Sequence, residues 1–211
     1  MAAERTHGLI VGAAPWRDGR FLRPYLDGAA WTVFCADGGY ANAVSAGLRP
    51  DFLIGDWDSG ERPALDVPCV TLPAEKDVTD LQAAMDQALS MGITELLLCG
   101  CTGGRLDHTL GNVFILYYLD QQGKRGRILD DFSEMELVSA QPVSIPDRCS
   151  FFSLLNLSGR AKGVTIEHAK YCLRDAEIPC EYQYGVSNEV LPGETATVSV
   201  REGKLLLIRV F

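Results

Sequence analysis

Runs of lysine and arginine are missing from this sequence, and acidic residues outnumber basic ones. The 211 residues include 19 Lys and Arg against 28 Asp and Glu, which gives a formal net charge of -9 at pH 7. Nucleic acids and anionic membranes are bound chiefly through fields of basic side chains. We therefore expect neither as a partner, and we expect any polyphosphate substrate to arrive with a metal ion.

CxxC cysteine pairs and long apolar runs are also missing. The seven cysteines are irregularly spaced, and Cys99/Cys101 and Cys172/Cys180 match neither a CxxC zinc site nor a dense disulfide framework. No stretch approaches the length that crosses a bilayer, and residues 1–7 lack the apolar segment of a signal peptide. We expect reduced, mostly buried thiols and a cytoplasmic protein.

The apolar residues that are present divide the chain into two parts. Up to about Asp130, short apolar runs alternate with helical patterns, which is typical of a parallel α/β sheet. Beyond that point, short β-like runs separated by Gly and Pro predict a smaller β-sandwich. We therefore predict an α/β fold, with an N-terminal parallel α/β domain over residues 1–131 and a C-terminal β-sandwich domain over residues 132–211.

Periodicity predicts the individual elements. The expected strands are 9–11, 32–36, 52–54, 69–72, 95–99 and 127–129 in the first part, and 136–138, 150–155, 164–166, 195–200 and 205–210 in the second. Two helices are expected to bury an apolar face in the core. The first face consists of Val78, Leu81, Met85, Ala88 and Leu89, and the second of Leu106, Leu110, Val113, Phe114 and Tyr117.

Two carboxylates follow the third predicted strand, in the turn Gly55-Asp56-Trp57-Asp58-Ser59. Acids this close repel each other unless a cation lies between them, and oxygen ligands with retained water suit Mg²⁺. Turn chemistry offers an alternative explanation, because Gly, Asp and Ser favour solvated turns in any protein. Trp57, between the two acids, is expected to be a packing residue.

Two neighbouring turns carry related residues. Asp37-Gly38-Gly39 precedes a helix of small residues and offers backbone amides to an anion, although Asp37 could equally cap a glycine-rich turn. Lys76 lies among acids at the start of the next helix, where a lysine can contact phosphate. Asp77 and Asp80 have an alternative role there, as the N-cap and the third-position acid of that helix.

A fourth turn, Gly103-Gly104-Arg105, offers amides and a guanidinium fork to phosphate oxygens, with Asp107 and His108 directly after it. All four turns follow strands, and open α/β sheets bind ligands at the carboxyl ends of their strands. Carboxylates accompanied by one Lys and one Arg suit metal-assisted phosphoryl transfer. The residues alone lead no further than this class of reaction.

In their order, these motifs resemble those of the thiamine pyrophosphokinase (thiamine diphosphokinase) family in its bacterial form. The resemblance covers nearly the whole chain. The matching segments are DGGYAN at 37–42, PDFLIGDWDS at 50–59, EKDVTD at 75–80, GGRLDH at 103–108 with Asn112 beyond, and GVSNE at 185–189.

The resemblance implies an enzyme that transfers the pyrophosphoryl group of ATP to the hydroxyl of thiamine and releases AMP, with Mg²⁺ as cofactor. It implies a catalytic, ATP-binding first domain, a thiamine-binding second domain, and a homodimer with active sites between subunits. The implied catalytic residues are Asp56, Asp58, Asp80 and Asp107, and the first three of these hold the metal. The implied contacts to ATP are Asp37, Gly38, Ser59, Lys76, Asp77, Thr79, Gly103, Gly104, Arg105, His108 and Asn112.

The same resemblance implies thiamine contacts from Tyr171, Ser187 and Asn188. An aromatic face can hold the cationic thiazolium, although Tyr171 also suits a packing position on a strand. The family pattern of Lys-aromatic-Pro-Leu is only partly matched, because Lys170-Tyr171 is followed by Cys172-Leu173. Two other functions stay open: a metal-dependent phosphohydrolase that uses the same acidic edge, and a non-catalytic protein that binds thiamine or a nucleotide.

Overall fold

The chain forms two compact units, of which the first ends at Asp131 and the second spans Phe132–Phe211. The computed structural model describes residues 6–57, 63–73, 75, 77–157 and 159–211. A mixed α/β fold with a large sheet and a second, smaller sheet domain is confirmed. Within the described ranges, no helix combines the length and apolar character that a membrane span requires.

A parallel sheet forms the centre of the first unit. Its strands are β1 (His7–Val11), β2 (Trp31–Ala36), β3 (Phe52–Gly55), β4 (Cys69–Thr71), β5 (Glu95–Cys99) and β6 (Arg125–Leu129). They lie in the order β4-β3-β2-β1-β5-β6, and each neighbouring pair is parallel. Leu9, Ile10 and Leu98 are fully buried, as expected for central strands covered on both faces. Every strand predicted for this part of the chain is present.

Helices connect these strands. A short 3-10 helix (Arg20–Leu22) and α1 (Arg23–Leu26) follow β1, α2 (Gly39–Ser45) follows β2, α3 (Asp80–Ser90) follows β4, and α4 (Leu106–Gln121) follows β5. Both helices that periodicity predicted are present. α3 buries Leu81, Met85 and Ala88, as predicted, whereas Val78 lies before the helix and is 44% exposed.

The face of α4 that packs into the core differs from the predicted one. The helix buries Asn112, Val113, Ile115, Leu116 and Leu119, whereas Leu106, Leu110 and Phe114 are exposed by 70%, 54% and 51%. The prediction was wrong for these three residues because α4 is apolar on nearly all sides. When both faces are apolar, periodicity cannot select the one that is covered.

Antiparallel strands make up the second unit: β7 (Ser133–Val138), β8 (Val143–Pro146), β9 (Phe151–Leu155), β10 (Arg160–Glu167), β11 (Leu173–Pro179), β12 (Thr195–Ser199) and β13 (Leu205–Val210). β13 lies between β7 and β9, and a separate sheet has the order β11-β10-β12-β8. The two groups of strands bury one shared core, which includes Phe152, Val198 and Leu207. β8 and β11 were not predicted, because charged residues interrupt the apolar pattern of β11 and β8 ends in proline.

All seven cysteine thiols are free. Cys35, Cys99 and Cys101 are buried, and burial raises the pKa of the Cys35 and Cys101 thiols to about 12. Cys172 and Cys180 are exposed, so the expectation of mostly buried thiols holds for the first unit better than for the second.

Candidate active site

The strands of the first unit end level with one another. Val11 of β1 pairs with Cys35 of β2 and with Cys99 of β5, and Ala36 pairs with Ile54 of β3. The turns that follow these strands therefore meet at one edge of the sheet. Except for Asn112, which lies within α4, the described site residues of the first unit lie in these turns or at the helix starts that follow them, which is where open parallel sheets bind ligands.

Backbone contact joins the turns that follow β2 and β3. The Asp37 amide donates to the Ile54 carbonyl at 2.7 Å, and Asp37 has left-handed backbone with φ 48°. A side chain on Gly55 would begin 3.2 Å from the Asp37 Cα, so a glycine keeps the two turns close. Asp56 follows Gly55 directly, and the two predicted acidic turns are therefore neighbours.

Trp57 has an unusual backbone for a bulky residue. Its φ is 59°, a left-handed conformation that costs about 1–3 kcal/mol in a non-glycine residue. Its ring packs against the core cluster that contains Leu9 and Cys35, and its buried indole Nε1 has no hydrogen-bond partner in the described part of the chain. Trp57 is thus a packing residue, as predicted. Asp58 and Ser59, which come next, lie outside the described residues.

The start of α3 corrects one prediction. The N-cap is Thr79, which has extended backbone. Its Oγ1 accepts a hydrogen bond from the Gln82 amide at 3.2 Å. Asp77 is not the N-cap, and Asp80 is the first helical residue and not the third. A threonine hydroxyl caps as an aspartate does, so the tertiary course of the chain decides between neighbouring candidates. Lys76 lies outside the described residues.

The glycine-rich turn after β5 combines left-handed backbone with an exposed ion pair. Gly103 and Gly104 are left-handed, with φ 84° and 65°. The Gly103 amide donates to Thr109 Oγ1 at 3.1 Å, whereas the Gly104 amide donates to no described residue. Arg105 Nη2 lies 2.5 Å from Asp107 Oδ2. Successive left-handed glycines make a concave backbone surface of the kind that binds anions.

Asp107 is strongly acidic. The Arg105 guanidinium and then the His108 backbone amide, at 3.0 Å, stabilise its charged form and lower its pKa to about 2. A carboxylate with so low a pKa is a weak proton acceptor at neutral pH. The described geometry therefore fits Asp107 as the group that orients Arg105.

Two asparagines hold the loops of this edge together. Asn112 is 8% exposed and donates through Nδ2 to the Cys101 carbonyl at 2.7 Å. Asn42 of α2 donates to the carbonyls of Gly12 and Ala14 at 2.8 and 2.9 Å. The loop after β1, which contains Gly12 and Ala14, also belongs to this edge. Sequence reasoning missed this loop, although its Gly12 resembles the other strand-end glycines.

The carboxylates suit a divalent metal in kind, and two of the three predicted ligands are described. Asp56 and Asp80 lie at the carboxyl edge, whereas Asp58 lies outside the described residues. Among the described residues, no group of three His, Cys, Asp or Glu side chains could hold a metal ion. Mg²⁺ usually takes one or two carboxylates together with phosphate and water oxygens, so Asp56 and Asp80 fit an ion that arrives with a polyphosphate.

In the second unit, the three residues predicted to bind thiamine lie together. Asn188 is 5% exposed, and its side chain exchanges two hydrogen bonds with the backbone of Tyr171. Ser187 precedes it with left-handed backbone, φ 59°, and the Tyr171 ring is 61% exposed. The Lys170 ammonium lies 5.6 Å from the centre of that ring. Tyr171 is therefore not a buried packing residue.

Comparison with known families gives two matches. Residues 24–128 match the model of the thiamin pyrophosphokinase catalytic domain, and residues 143–205 match the thiamin pyrophosphokinase vitamin B1 binding domain. A thiamine pyrophosphokinase of Bacillus subtilis (strain 168) is 30% identical over 181 residues, which cover 82% of this chain and 84% of that protein.

Solved structures resemble the chain over nearly its whole length. The crystal structure of a thiamine pyrophosphokinase from Bacillus subtilis has a TM-score of 0.86 at 27% identity, covering 97% of this chain and 98% of the other. That of a thiamin pyrophosphokinase from Geobacillus thermodenitrificans has a TM-score of 0.82 at 30% identity, covering 97% of both chains.

Proposed function

Because the chain belongs to the thiamine pyrophosphokinase family, we propose that it transfers the pyrophosphoryl group of ATP to thiamine and releases thiamine diphosphate and AMP. One observation carries the proposal. The catalytic-domain match at 24–128 lies within the first unit, and the vitamin B1 match at 143–205 lies within the second. Both halves of a two-substrate enzyme are therefore represented, in the family's order.

The two units divide the substrates between them in this proposal. The first, a parallel α/β domain over residues 1–131, binds ATP and carries the catalytic carboxylates. The second, a β-sandwich over residues 132–211, binds thiamine. The strand-end turns support the first role, and the exposed aromatic ring of Tyr171 supports the second.

The phosphates of ATP lie, in this proposal, against the glycine-rich turn before α4. The Gly104 amide donates to no described residue, and Arg105 is 72% exposed beside it. An amide and a guanidinium together can hold phosphate oxygens with directional, charge-assisted hydrogen bonds. The remaining proposed contacts to ATP come from Asp37, Gly38, Ser59, Lys76, Asp77, Thr79, Gly103 and His108. Buried Asn112 stabilises the loop through its hydrogen bond to the Cys101 carbonyl.

A Mg²⁺ ion is held in this proposal by Asp56, Asp58 and Asp80. When bound, it offsets the negative charge of the phosphate chain, which favours attack at phosphorus. The protein's own groups orient the reactants. The Arg105 guanidinium contacts phosphate oxygens, and a carboxylate takes the proton of the thiamine hydroxyl. Asp80 and Asp58 are the first candidate acceptors, because Arg105 holds the pKa of Asp107 below its ordinary value.

Homodimer formation and a cytoplasmic location are part of the same proposal. The exposed face of α4, defined by Leu106, Leu110, Phe114 and Tyr118, supports a dimer. It is a continuous apolar strip at helical spacing, and contiguous apolar patches mark interaction surfaces. Because α4 begins at the proposed phosphate turn, a partner seated on this face would lie next to the active site.

The direct test is to incubate the purified chain with Mg-ATP and thiamine and to identify the products by chromatography. We expect AMP and thiamine diphosphate in equal amounts. ADP with thiamine monophosphate would contradict pyrophosphoryl transfer. Phosphate release that does not require thiamine would favour a phosphohydrolase, and ligand binding with no turnover would favour a binding protein.

A further inference from the structure

Asn188 has nearly all of its side-chain hydrogen-bonding capacity occupied. Its Oδ1 accepts from the Tyr171 amide at 3.0 Å and from the Glu189 amide at 2.9 Å. Its Nδ2 donates to the Tyr171 carbonyl at 2.8 Å. A side-chain amide offers two acceptor sites and two donor hydrogens, so one donor hydrogen is left. At 5% exposure, that hydrogen is poorly placed for a ligand.

The backbone of Asn188 is also fixed. It exchanges two hydrogen bonds with Phe152 of β9, each 2.8 Å long. Its side chain hydrogen-bonds both the amide and the carbonyl of Tyr171, as the backbone of a neighbouring strand would. Asn188 thereby fastens the segment around Tyr171 to the edge of a buried strand.

Tyr171 and Ser187 are the exposed residues next to the hydrogen bonds between Asn188 and Tyr171. The Tyr171 ring is 61% exposed, although its backbone is held on both sides. Ser187 is exposed, its amide donates to Ser153 Oγ at 3.0 Å, and its hydroxyl has no hydrogen-bond partner among the described residues. An aromatic face and a free hydroxyl suit a ligand that combines a cationic ring with polar edges.

One side of the Tyr171 ring is already occupied. The Lys170 ammonium lies 5.6 Å from the ring centre and 2.6 Å from Glu189 Oε1. Two cations repel each other, so a cationic ligand is favoured on the opposite side of the ring. Glu189 limits this repulsion by holding the lysine charge. The arrangement leaves one preferred side of the ring for the ligand.

We propose that Asn188 is a positioning residue, which holds Tyr171 and Ser187 in the orientation that binds thiamine without contacting thiamine itself. This inference rests on the proposed function. It differs from the family resemblance, which placed Asn188 among the thiamine contacts. It predicts that replacing the Asn188 side chain weakens thiamine binding, because the segment around Tyr171 becomes less ordered.

The experiment compares Asn188→Ala with the wild-type enzyme. We expect KM for thiamine to rise about 10-fold, the scale of one lost cation–π contact, while KM for ATP stays unchanged. Hydrogen exchange of the peptide that contains Tyr171 should become faster, because its amide loses the Oδ1 acceptor. The exchange measurement needs no activity, so it separates this inference from the proposed function.

Asn156→Ala is the matched control. Asn156 is fully buried in the same unit and donates to the carbonyls of Gly159 and Ile178 at 2.9 and 2.5 Å, and neither of these bonds involves Tyr171 or Ser187. This variant should lower the unfolding temperature and leave KM for thiamine unchanged. A rise in KM for thiamine equal to that of Asn188→Ala would overturn a specific positioning role.

Asn188→Asp provides a pH test and covers the case in which Asn188→Ala does not fold. The aspartate keeps the acceptor but sets a charged oxygen against the Tyr171 carbonyl at neutral pH. Protonation restores a donor, so KM for thiamine should fall toward the wild-type value as pH is lowered, relative to wild type at each pH. If neither variant changes KM for thiamine while the wild type forms thiamine diphosphate, the positioning role is wrong. If the wild type forms no thiamine diphosphate, the proposed function itself fails.

Discussion

Arg105 and Asp107 hold each other through two hydrogen bonds, from Nε to Oδ1 at 3.1 Å and from Nη2 to Oδ2 at 2.5 Å. The pair lowers the pKa of Asp107 to about 2, below its ordinary value of 3.8. Its stabilising effect is therefore fully present above the ordinary pKa and is lost as pH falls toward about 2. At neutral pH the Asp107 carboxylate is therefore charged, and its two hydrogen bonds favour one orientation of the exposed guanidinium.

The first prediction concerns Asp107→Asn. We expect KM for Mg-ATP to rise about 3- to 10-fold and kcat to change less, because Arg105 loses the charged partner that orients it. Loss of a general base would instead lower kcat by about 10²- to 10⁴-fold. Steady-state kinetics at saturating thiamine distinguish the two. Asp18→Asn is the control, since Asp18 forms a similar pair with Arg20 at 2.6 Å, and both constants should stay unchanged.

Substitution of the proposed metal carboxylates should remove turnover without unfolding the chain. Asp56→Asn and Asp58→Asn each keep the side-chain shape but lose charge, and we expect kcat to fall about 100-fold or more. Titration with Mn²⁺, followed by calorimetry in the presence of an ATP analogue, should show weaker metal binding. Asp66→Asn removes an equal charge from an exposed position and should behave as wild type. Normal activity of Asp56→Asn at low Mg²⁺ would remove Asp56 from the metal site.

The close approach of Gly12 and Gly100 predicts a stability effect. A Cβ on either residue would lie 2.4 Å from the other's carbonyl oxygen, and Gly100 also has φ 60°. Gly100→Ala should lower the free energy of unfolding by about 1–3 kcal/mol, measured by urea denaturation. Gly111→Ala, in open space within α4, should instead stabilise the protein by about 0.5–1 kcal/mol. Equal stability of the two variants would contradict the contact.

The exposed face of α4 predicts the oligomeric state. Phe114→Glu places a charge in the middle of the apolar strip and should convert a dimer to monomers, measured by light scattering after gel filtration. Met91→Glu, at the exposed end of α3, introduces the same charge elsewhere and should leave the dimer intact. A wild-type monomer at all concentrations would refute the dimer, and a dimer that survives Phe114→Glu would exclude this face.

For thiamine recognition, the ring of Tyr171 should matter more than its hydroxyl. Tyr171→Ala should raise KM for thiamine about 10-fold through loss of the aromatic face, whereas Tyr171→Phe should stay within about 2-fold of wild type. Tyr182→Ala, which removes another exposed ring, should have no effect on either KM. Equal losses in the Phe and Ala variants would instead assign the contact to the hydroxyl.

Much of the fold was predictable because its signals are local. Short apolar runs identified the strands of the first unit, and the helix starts and glycine-rich turns after them identified its ligand edge. The failures were also systematic. The sequence around Thr79 offers several good caps, and α4 is apolar on nearly all sides, so local chemistry could not choose among the alternatives.

The second unit was harder to predict. β11 contains several charged residues and β8 ends in proline, so neither has the alternating apolar pattern of a half-buried strand. β8 is held in its sheet by β12, which is distant in the chain, whereas β11 is an edge strand that pairs with the preceding strand β10. The loop after β1 was missed for a similar reason, since its link to Asn42 spans 28–30 residues.

Residue types at short or ordered spacing were enough to predict the order of the elements, the kinds of side chain at the strand ends and the family. The partners of many side chains, in contrast, depend on the folded structure. It linked Asn42 to the loop after β1, turned the apolar strip of α4 outward, and joined Asn188 to Tyr171, 17 residues away. Hydrogen bonds and burial depend on which groups folding brings within a few ångströms, and sequence spacing does not encode that proximity directly.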